Sequence, residues 1–129
     1  MIADSSFLVS LFLPEDMNHE NAKKEYTKYD EYLLIPVCVL EETVNVLIYK
    51  RGFDFSLRVS DELLQNERII VYYPDEDEIL ETIELMNKTK KKMSMIDYEV
   101  AYFAVQKKEA LLCFDKQILS LVKLLNRKA

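Results

Sequence analysis

Four acidic residues of this chain stand where an acid has no obvious local business. Asp4 ends the apolar run "MIAD", and Asp115 directly follows "ALLCF". Glu42 lies in the first half of the helical pattern "VCVLEETVNVLIYK", among Val39, Val46 and Tyr49. Asp97, in "MSMIDYEVAYFAVQ", opens a stripe that continues through Val100, Ala101, Ala104 and Val105 at helical spacings. If the fold brings such groups together, each like-charged pair at ~4 Å repels by roughly 4 kcal/mol at an effective dielectric of about 20. A cluster of that kind either takes up protons or binds cations. Oxygen-only donors suit hard ions such as Mg²⁺ or Mn²⁺. An ion held by a few carboxylates keeps bound waters, leaving room for a phosphate oxygen and an attacking water, which is the apparatus of phosphodiester hydrolysis.

Simpler explanations exist for several of these residues. Ser94 and Asp97 have the Ser-x-x-Asp spacing of a capping box, and an acid near a helix N-terminus is favoured by the macrodipole. The two roles are compatible, since a helix N-terminus can fix a carboxylate that also points into a cleft. Tyr98 and Tyr102 offer stacking surfaces for bases, but core packing is the simpler assignment. The single histidine, His19, has no nucleophile motif to serve and reads as the start of the helix after "PEDMNH".

Composition excludes other chemistries. With Gly52 as the only glycine, neither a Walker loop nor a dinucleotide-binding loop is available. Cys38 and Cys113 lie in apolar runs without Cys or His at metal spacing, so they read as small buried hydrophobes in a reducing cytoplasm. With 23 acidic against 17 basic residues and a net charge of −6, the chain lacks a general electrostatic grip on nucleic acid. No stretch approaches the ~20 apolar residues of a membrane span, and Asp4 follows the start too closely for a secretory leader. Cytoplasmic location without membrane association is the expectation.

The elements that must position the acids alternate along the chain. "MIAD", "LLIPV", "RIIVYY" and "ALLCF" read as short strands. Between them lie helical patterns: "SSFLVSLFL"; a second helix with Ala22, Tyr26, Tyr29 and Leu33 on one face; "VCVLEETVNVLIYK", stopping before Gly52; and "FSLRVSDELLQNE". "DEDEILETIELMNKTKKK" follows with Ile79, Ile83 and Met86 in line, then the segment of Asp97, and last "KQILSLVKLLNRK", facing inward through Ile118, Val122 and Leu125 before a polar, fraying tail. Short apolar strands separated by helices predict a parallel sheet covered on both faces, whose carboxyl ends gather Asp4 and Asp115 at one edge. Pro74 bars "RIIVYY" from extending as a central strand. The runs "DEDE" and "KTKKK" complement the dipole of their own helix. The lysines read first as a solvated helix end, with phosphate contact as the alternative.

Taken together, "IADSSFLVSLF", "IPVCVLEETVNVL", "MSMIDYEVAYFAV" and "ALLCFDKQIL" resemble, in order and interval, the four acidic motifs of the PIN-domain nucleases, in the style of small VapC-type toxins. The resemblance implies one PIN-like domain over residues 1–129, a three-layer α/β/α fold around a central parallel sheet of four to five short strands. It implies a Mg²⁺- or Mn²⁺-dependent endoribonuclease with Asp4 and Asp97 as principal metal ligands, completed by Glu42 and Asp115. Ser6 would steady Asp4 and Ser94 would support Asp97, while Lys90, Lys91, Lys92 and Lys116 are candidate RNA contacts. Glu42 is preferred to Glu41 on the family pattern, because Glu41 also has apolar neighbours in Val37, Val44 and Ile48. His19 and Ala22 match a recurrent H-x-x-A in the second helix. Cys113 departs from the Thr or Ser usual two residues before the fourth acid and offers weaker hydrogen bonding to Asp115. Expected partners are RNA, single-stranded because unstacked bases can be splayed across a shallow cleft, a second copy of the chain, and an antitoxin segment laid over the acids. The rival readings are an inactive PIN fold used for binding or assembly and an RNA-processing nuclease without an antitoxin. A receiver domain, which needs an adjacent acidic pair, and a dehalogenase-type phosphatase, which needs Asp-x-Asp, both fail at "DSS".

Overall fold

Apolar runs too short to make helices pair as strands, and the amphipathic segment after each must return to cover the sheet. A computed structural model describes residues 1–128; the expected domain end at Ala129 lies outside them. The order is β1 (Ile2–Ala3), α1 (Ser5–Phe12), α2 (His19–Lys28), β2 (Leu33–Pro36), α3 (Val37–Arg51), α4 (Phe53–Gln65), β3 (Ile69–Tyr72), α5 (Glu76–Thr89), α6 (Met95–Gln106), β4 (Leu111–Leu112) and α7 (Lys116–Lys128). The four strands are all parallel, in the order β3-β2-β1-β4, so the expected parallel α/β sheet is present with four strands. Ile2 stands opposite both Leu34 and Leu111. The chain builds outward from β1 on one side and then returns to add β4 on the other. That reversal opens a crevice at the carboxyl ends of β1 and β4.

Strand alternation divides the core. Ile2 and Leu34 pack with Phe103 and Ala104 of α6, whereas Ala3, Leu33 and Ile35 join Phe7 and Leu8 of α1, Val39 and Leu47 of α3 and Leu63 of α4. Gly52 separates α3 from α4 at φ +92° and ψ 171°, a conformation nearly reserved for glycine. β3 is an edge strand that stops at Tyr72, short of Pro74. Among the described residues no helix is long and apolar enough to cross a membrane.

Four expectations need correction. α2 ends at Lys28, so Tyr29 and Leu33 do not extend the face of Ala22; Leu33 pairs with Ile69 and is wholly buried, because the sheet claims it first. On α5 the buried residue is Thr82, its hydroxyl satisfied by the Glu78 carbonyl at 2.9 Å, and Ile83 faces outward. Tyr49 lies on the face of Val39 and Val46 but is 91% exposed, while Leu47 in the same turn is wholly buried, so the core takes a different face of α3 at its end. The tail after Leu125 remains helical to Lys128.

Candidate active site

Asp4 follows β1 directly and serves as the N-cap of α1, in extended backbone geometry. It is 2% exposed. Its Oδ2 accepts hydrogen bonds from the Ser6 hydroxyl at 2.7 Å and the Ser6 N–H at 3.2 Å. Its Oδ1 is buried and has no hydrogen-bond partner. One carboxylate oxygen is thus fully engaged while the other is held dry and unmatched. A buried, unsatisfied acceptor of this kind costs about 1–3 kcal/mol, more when it carries charge.

The remaining acids arrive from separate elements. Asp97 sits in the first turn of α6, where its N–H donates to the Ser94 hydroxyl at 3.2 Å. Asp115 precedes α7, and its Oδ1 accepts from the N–H groups of Gln117 and Ile118 at 2.8 and 3.3 Å. Glu42, in the second turn of α3, accepts a short hydrogen bond from the Ser5 hydroxyl. All four line one cavity of about 400 Å³ at the carboxyl edge of the sheet, with Ser5, Ser6, Ser10, Asp16, Asn18 and Phe114 among its walls. No lysine or arginine lines it.

The acids feel one another. Burial first, then the charges of Asp115 and Asp4 with a smaller push from Glu42, raise the Asp97 carboxyl above its ordinary range, while Ser94 acts in the opposite direction. Among the described residues, no three Asp, Glu, His or Cys side chains stand close enough to form a closed metal shell. The donor set nonetheless fits a hard divalent cation: oxygen donors only, mutual repulsion to relieve, and in Asp4, which lines the same cavity, one carboxylate oxygen buried without a hydrogen-bond partner. Asp4, Glu42, Asp97 and Asp115 are the residues that could hold it.

The residues around the acids divide cleanly. Ser6 braces Asp4 and also accepts the Phe114 N–H at 3.0 Å, joining the β1 and β4 ends. Cys113 does more than fill space. Its sulfur accepts the Asp115 N–H at 3.2 Å and lies 3.6 Å from Asp4 Oδ2, in place to donate. Burial, then the Asp4 charge, pushes its thiol up to about 12, so it stays protonated. Glu42 lines the cavity and Glu41 is exposed outside it. Tyr98 is core, 1% exposed, with its hydroxyl on the Lys91 carbonyl at 2.6 Å. His19 has the structural part expected, its Nδ1 2.8 Å from the Ser10 carbonyl. Lys90, Lys91 and Lys92 are exposed on the loop before α6, and Lys116 is exposed beside Asp115; none lines the cavity.

Sequence reading missed Ser5, which holds Glu42, and the turn residues Asp16 and Asn18. Asp16 accepts from the Ser10 hydroxyl at 2.7 Å and the Asn18 N–H at 2.9 Å, locking the turn after α1 against the cavity. The only signal for Ser5 was its place beside Ser6, and a turn acid such as Asp16 reads locally as a turn residue.

Comparison with known proteins bears on the family and the fold. The PIN domain family model matches residues 1–124. Among solved structures, a Mycobacterium tuberculosis protein described as VapC20, a sarcin-ricin loop cleaving toxin, is similar with a TM-score of 0.83 and 19% identity over 92% of each chain. No curated protein matches the sequence. The family match takes in each element that walls the acidic cavity, β1, α3, α6 and the β4–α7 junction, and over that extent the chain belongs to the PIN domain family.

Proposed function

We propose that this protein is a metal-dependent endoribonuclease using Mg²⁺ or Mn²⁺, built as a single domain over residues 1–129. The observation that carries the reading is the buried, unpartnered Oδ1 of Asp4 in a cavity walled by Glu42, Asp97 and Asp115. Asp4 and Asp97 are the principal ligands, with Glu42 and Asp115 as direct or water-mediated ones. A bound divalent ion would supply Lewis-acid polarisation of the scissile phosphate and a more acidic water for in-line attack.

The chain's own residues prepare that chemistry. Ser6 fixes the orientation of Asp4 through Oδ2, Ser5 holds Glu42, and Ser94 with the first turn of α6 fixes Asp97. Cys113 keeps the Asp115 backbone and Asp4 in register. Lys90, Lys91, Lys92 and Lys116 lie outside the acids, where they can meet phosphates flanking the scissile one.

The structural neighbour is described as a toxin that cleaves the sarcin-ricin loop, which favours a looped or single-stranded RNA substrate and a toxin role here. On that reading the protein acts in the cytoplasm, pairs as a homodimer, and is restrained by an antitoxin segment over the acidic cleft. The test is cleavage of labelled RNA in Mn²⁺ by the wild type and by Asp97→Asn. Cleavage by the wild type with at least a hundredfold loss in the variant is expected. Equal activity overturns the site. A wild type that neither cleaves nor is thermally stabilised by Mn²⁺ is a non-catalytic PIN module.

A further inference from the structure

Every serine in the wall of the acidic cavity has already given its hydroxyl proton within the protein. Ser5 donates to Glu42, Ser6 to Asp4 Oδ2 at 2.7 Å, and Ser10 to Asp16 Oδ2 at 2.7 Å. The acids of the wall, Asp4, Asp16, Glu42, Asp97 and Asp115, can only accept hydrogen bonds when ionised. Asn18 is the exception. It lines the same cavity, half-buried, at the residue before α2. Its backbone is held from both sides, the N–H donating to Asp16 Oδ2 at 2.9 Å and the carbonyl accepting from the Ala22 N–H at 2.9 Å. Its side chain does not cap α2 and has no hydrogen-bond partner among the described residues. A carboxamide carries two N–H donors, so Asn18 is the one polar side chain of the wall with donors still to give.

The chemistry of the wall decides what those donors suit. A phosphate that enters this space brings oxygens that need donors as well as counter-charge, and the carboxylates supply neither. Hydrogen bonds to an ionised acceptor are about twice as strong as neutral ones. A lysine or arginine in this place would pair with the carboxylates and compete with a cation for them, and neither lines the cavity. A neutral amide donates to the phosphate without that competition.

We propose that the Asn18 carboxamide donates a hydrogen bond to a non-bridging oxygen of the scissile RNA phosphate; this rests on the nuclease reading above. Asn18 orients the phosphate against the acids and takes no part in holding the metal.

The test compares wild type, Asn18→Ala and Asn18→Asp on a labelled single-stranded RNA, measuring kcat and KM in Mn²⁺ together with Tm in EDTA and its rise on adding Mn²⁺. Asn18→Ala should lower kcat/KM about 10- to 150-fold, the range for one hydrogen bond to a charged group. Its Tm in EDTA should stay close to that of the wild type, because the side chain bonds to nothing in the protein. Its Mn²⁺ response should also be unchanged. Asn18→Asp is the deciding variant: aspartate has the same shape and caps a helix as well as asparagine does, yet it has no N–H to give when ionised and adds a charge. It should lose at least as much activity as Asn18→Ala. Asn21→Ala removes another amide of α2, one that lines a different cavity, and should leave the kinetics unaltered. A 2′-deoxy nucleotide at the cleavage site should preserve the ratio between wild type and Asn18→Ala. Wild-type kinetics in Asn18→Ala, or their restoration by Asn18→Asp, overturn the donor while leaving the nuclease reading intact. A weaker Mn²⁺ response in Asn18→Ala assigns the amide oxygen to the metal, and a ratio lost on the 2′-deoxy substrate assigns the contact to the ribose; each overturns the proposal. Absence of wild-type cleavage and of RNA binding overturns both readings.

Discussion

Asp4→Asn separates the two jobs of the most buried acid. Asparagine caps a helix as well as aspartate does, and its amide oxygen can still accept from the Ser6 hydroxyl and N–H, now 2.7 and 3.2 Å from Oδ2. The variant loses the charge and replaces the unpartnered Oδ1 by an amide group. The unsatisfied acceptor in the wild type costs about 1–3 kcal/mol, and removing the negative charge also relieves repulsion from Asp97, which the Asp4 charge reaches. In EDTA, Asp4→Asn should therefore be more stable than the wild type by about 1–2 kcal/mol, since the new amide recovers only part of the penalty. For a domain of this size that corresponds to a rise in Tm of roughly 3–10 °C. Mn²⁺ at a hundred times its Kd should stabilise the wild type by about 2.7 kcal/mol and Asp4→Asn by far less, so the order of stabilities reverses on adding metal. Scanning calorimetry in EDTA and in MnCl₂ reads both effects. An Asp4→Asn protein less stable than the wild type in EDTA, or equally stabilised by Mn²⁺, would refute the reasoning that a buried charge waits there for a cation. Asp4→Ala is the control for the cap: it removes the same charge but loses about 1 kcal/mol of capping, and so should fall below Asp4→Asn.

Three further outcomes follow from particular contacts. Ser5→Ala removes the hydroxyl that holds Glu42; kcat should drop about tenfold, an effect of ~1.4 kcal/mol, with Tm within a few degrees of wild type. Cys113→Ser puts a stronger hydrogen-bonding atom in the place of a sulfur 3.2 Å from the Asp115 N–H, so activity should be retained or raised; a collapse of activity would show that the sulfur itself is required. Glu99 is 6% exposed, and burial, partly offset by a hydrogen bond to Cys38, raises its carboxyl above the ordinary value. The folded state therefore holds a proton that the unfolded state releases near pH 4.3, so stability from this group falls as pH rises from there through the folded value. Glu99→Gln should remove that decline and be more stable than the wild type at pH 7 in EDTA, as read by urea denaturation; an unchanged pH profile would count against it.

Much of the fold is legible because its signals are local. Each strand is an apolar run ended by an acid, a proline or a polar turn, and α5 and α6 carry their own caps, at Asp75–Glu78 and Ser94. Where two local patterns overlapped, tertiary contact chose between them. Leu33 fits the face of α2 and also a strand, and pairing with Ile69 settled it. Ile83 fits the stripe of Ile79 and Met86, but Thr82 is the residue buried there, its hydroxyl on the Glu78 carbonyl.

Asp4, Asp97 and Asp115 could be picked out from the sequence alone, because a carboxylate at the end of an apolar strand or at the head of an apolar stripe is conspicuous without coordinates, whereas Glu42 was preferred to Glu41 only on the family resemblance. Their convergence belongs to the tertiary structure, since the return of the chain from β3 to β4 across β1 is what brings positions 4, 42, 97 and 115 to one edge. The same long-range geometry separates Glu42 from Glu41, which periodicity leaves equivalent, and gives Ser5, Asp16 and Cys113 their parts. It also strands Asp4 Oδ1 without a partner, because desolvation depends on everything that surrounds an atom and so cannot be read from its neighbours in the chain.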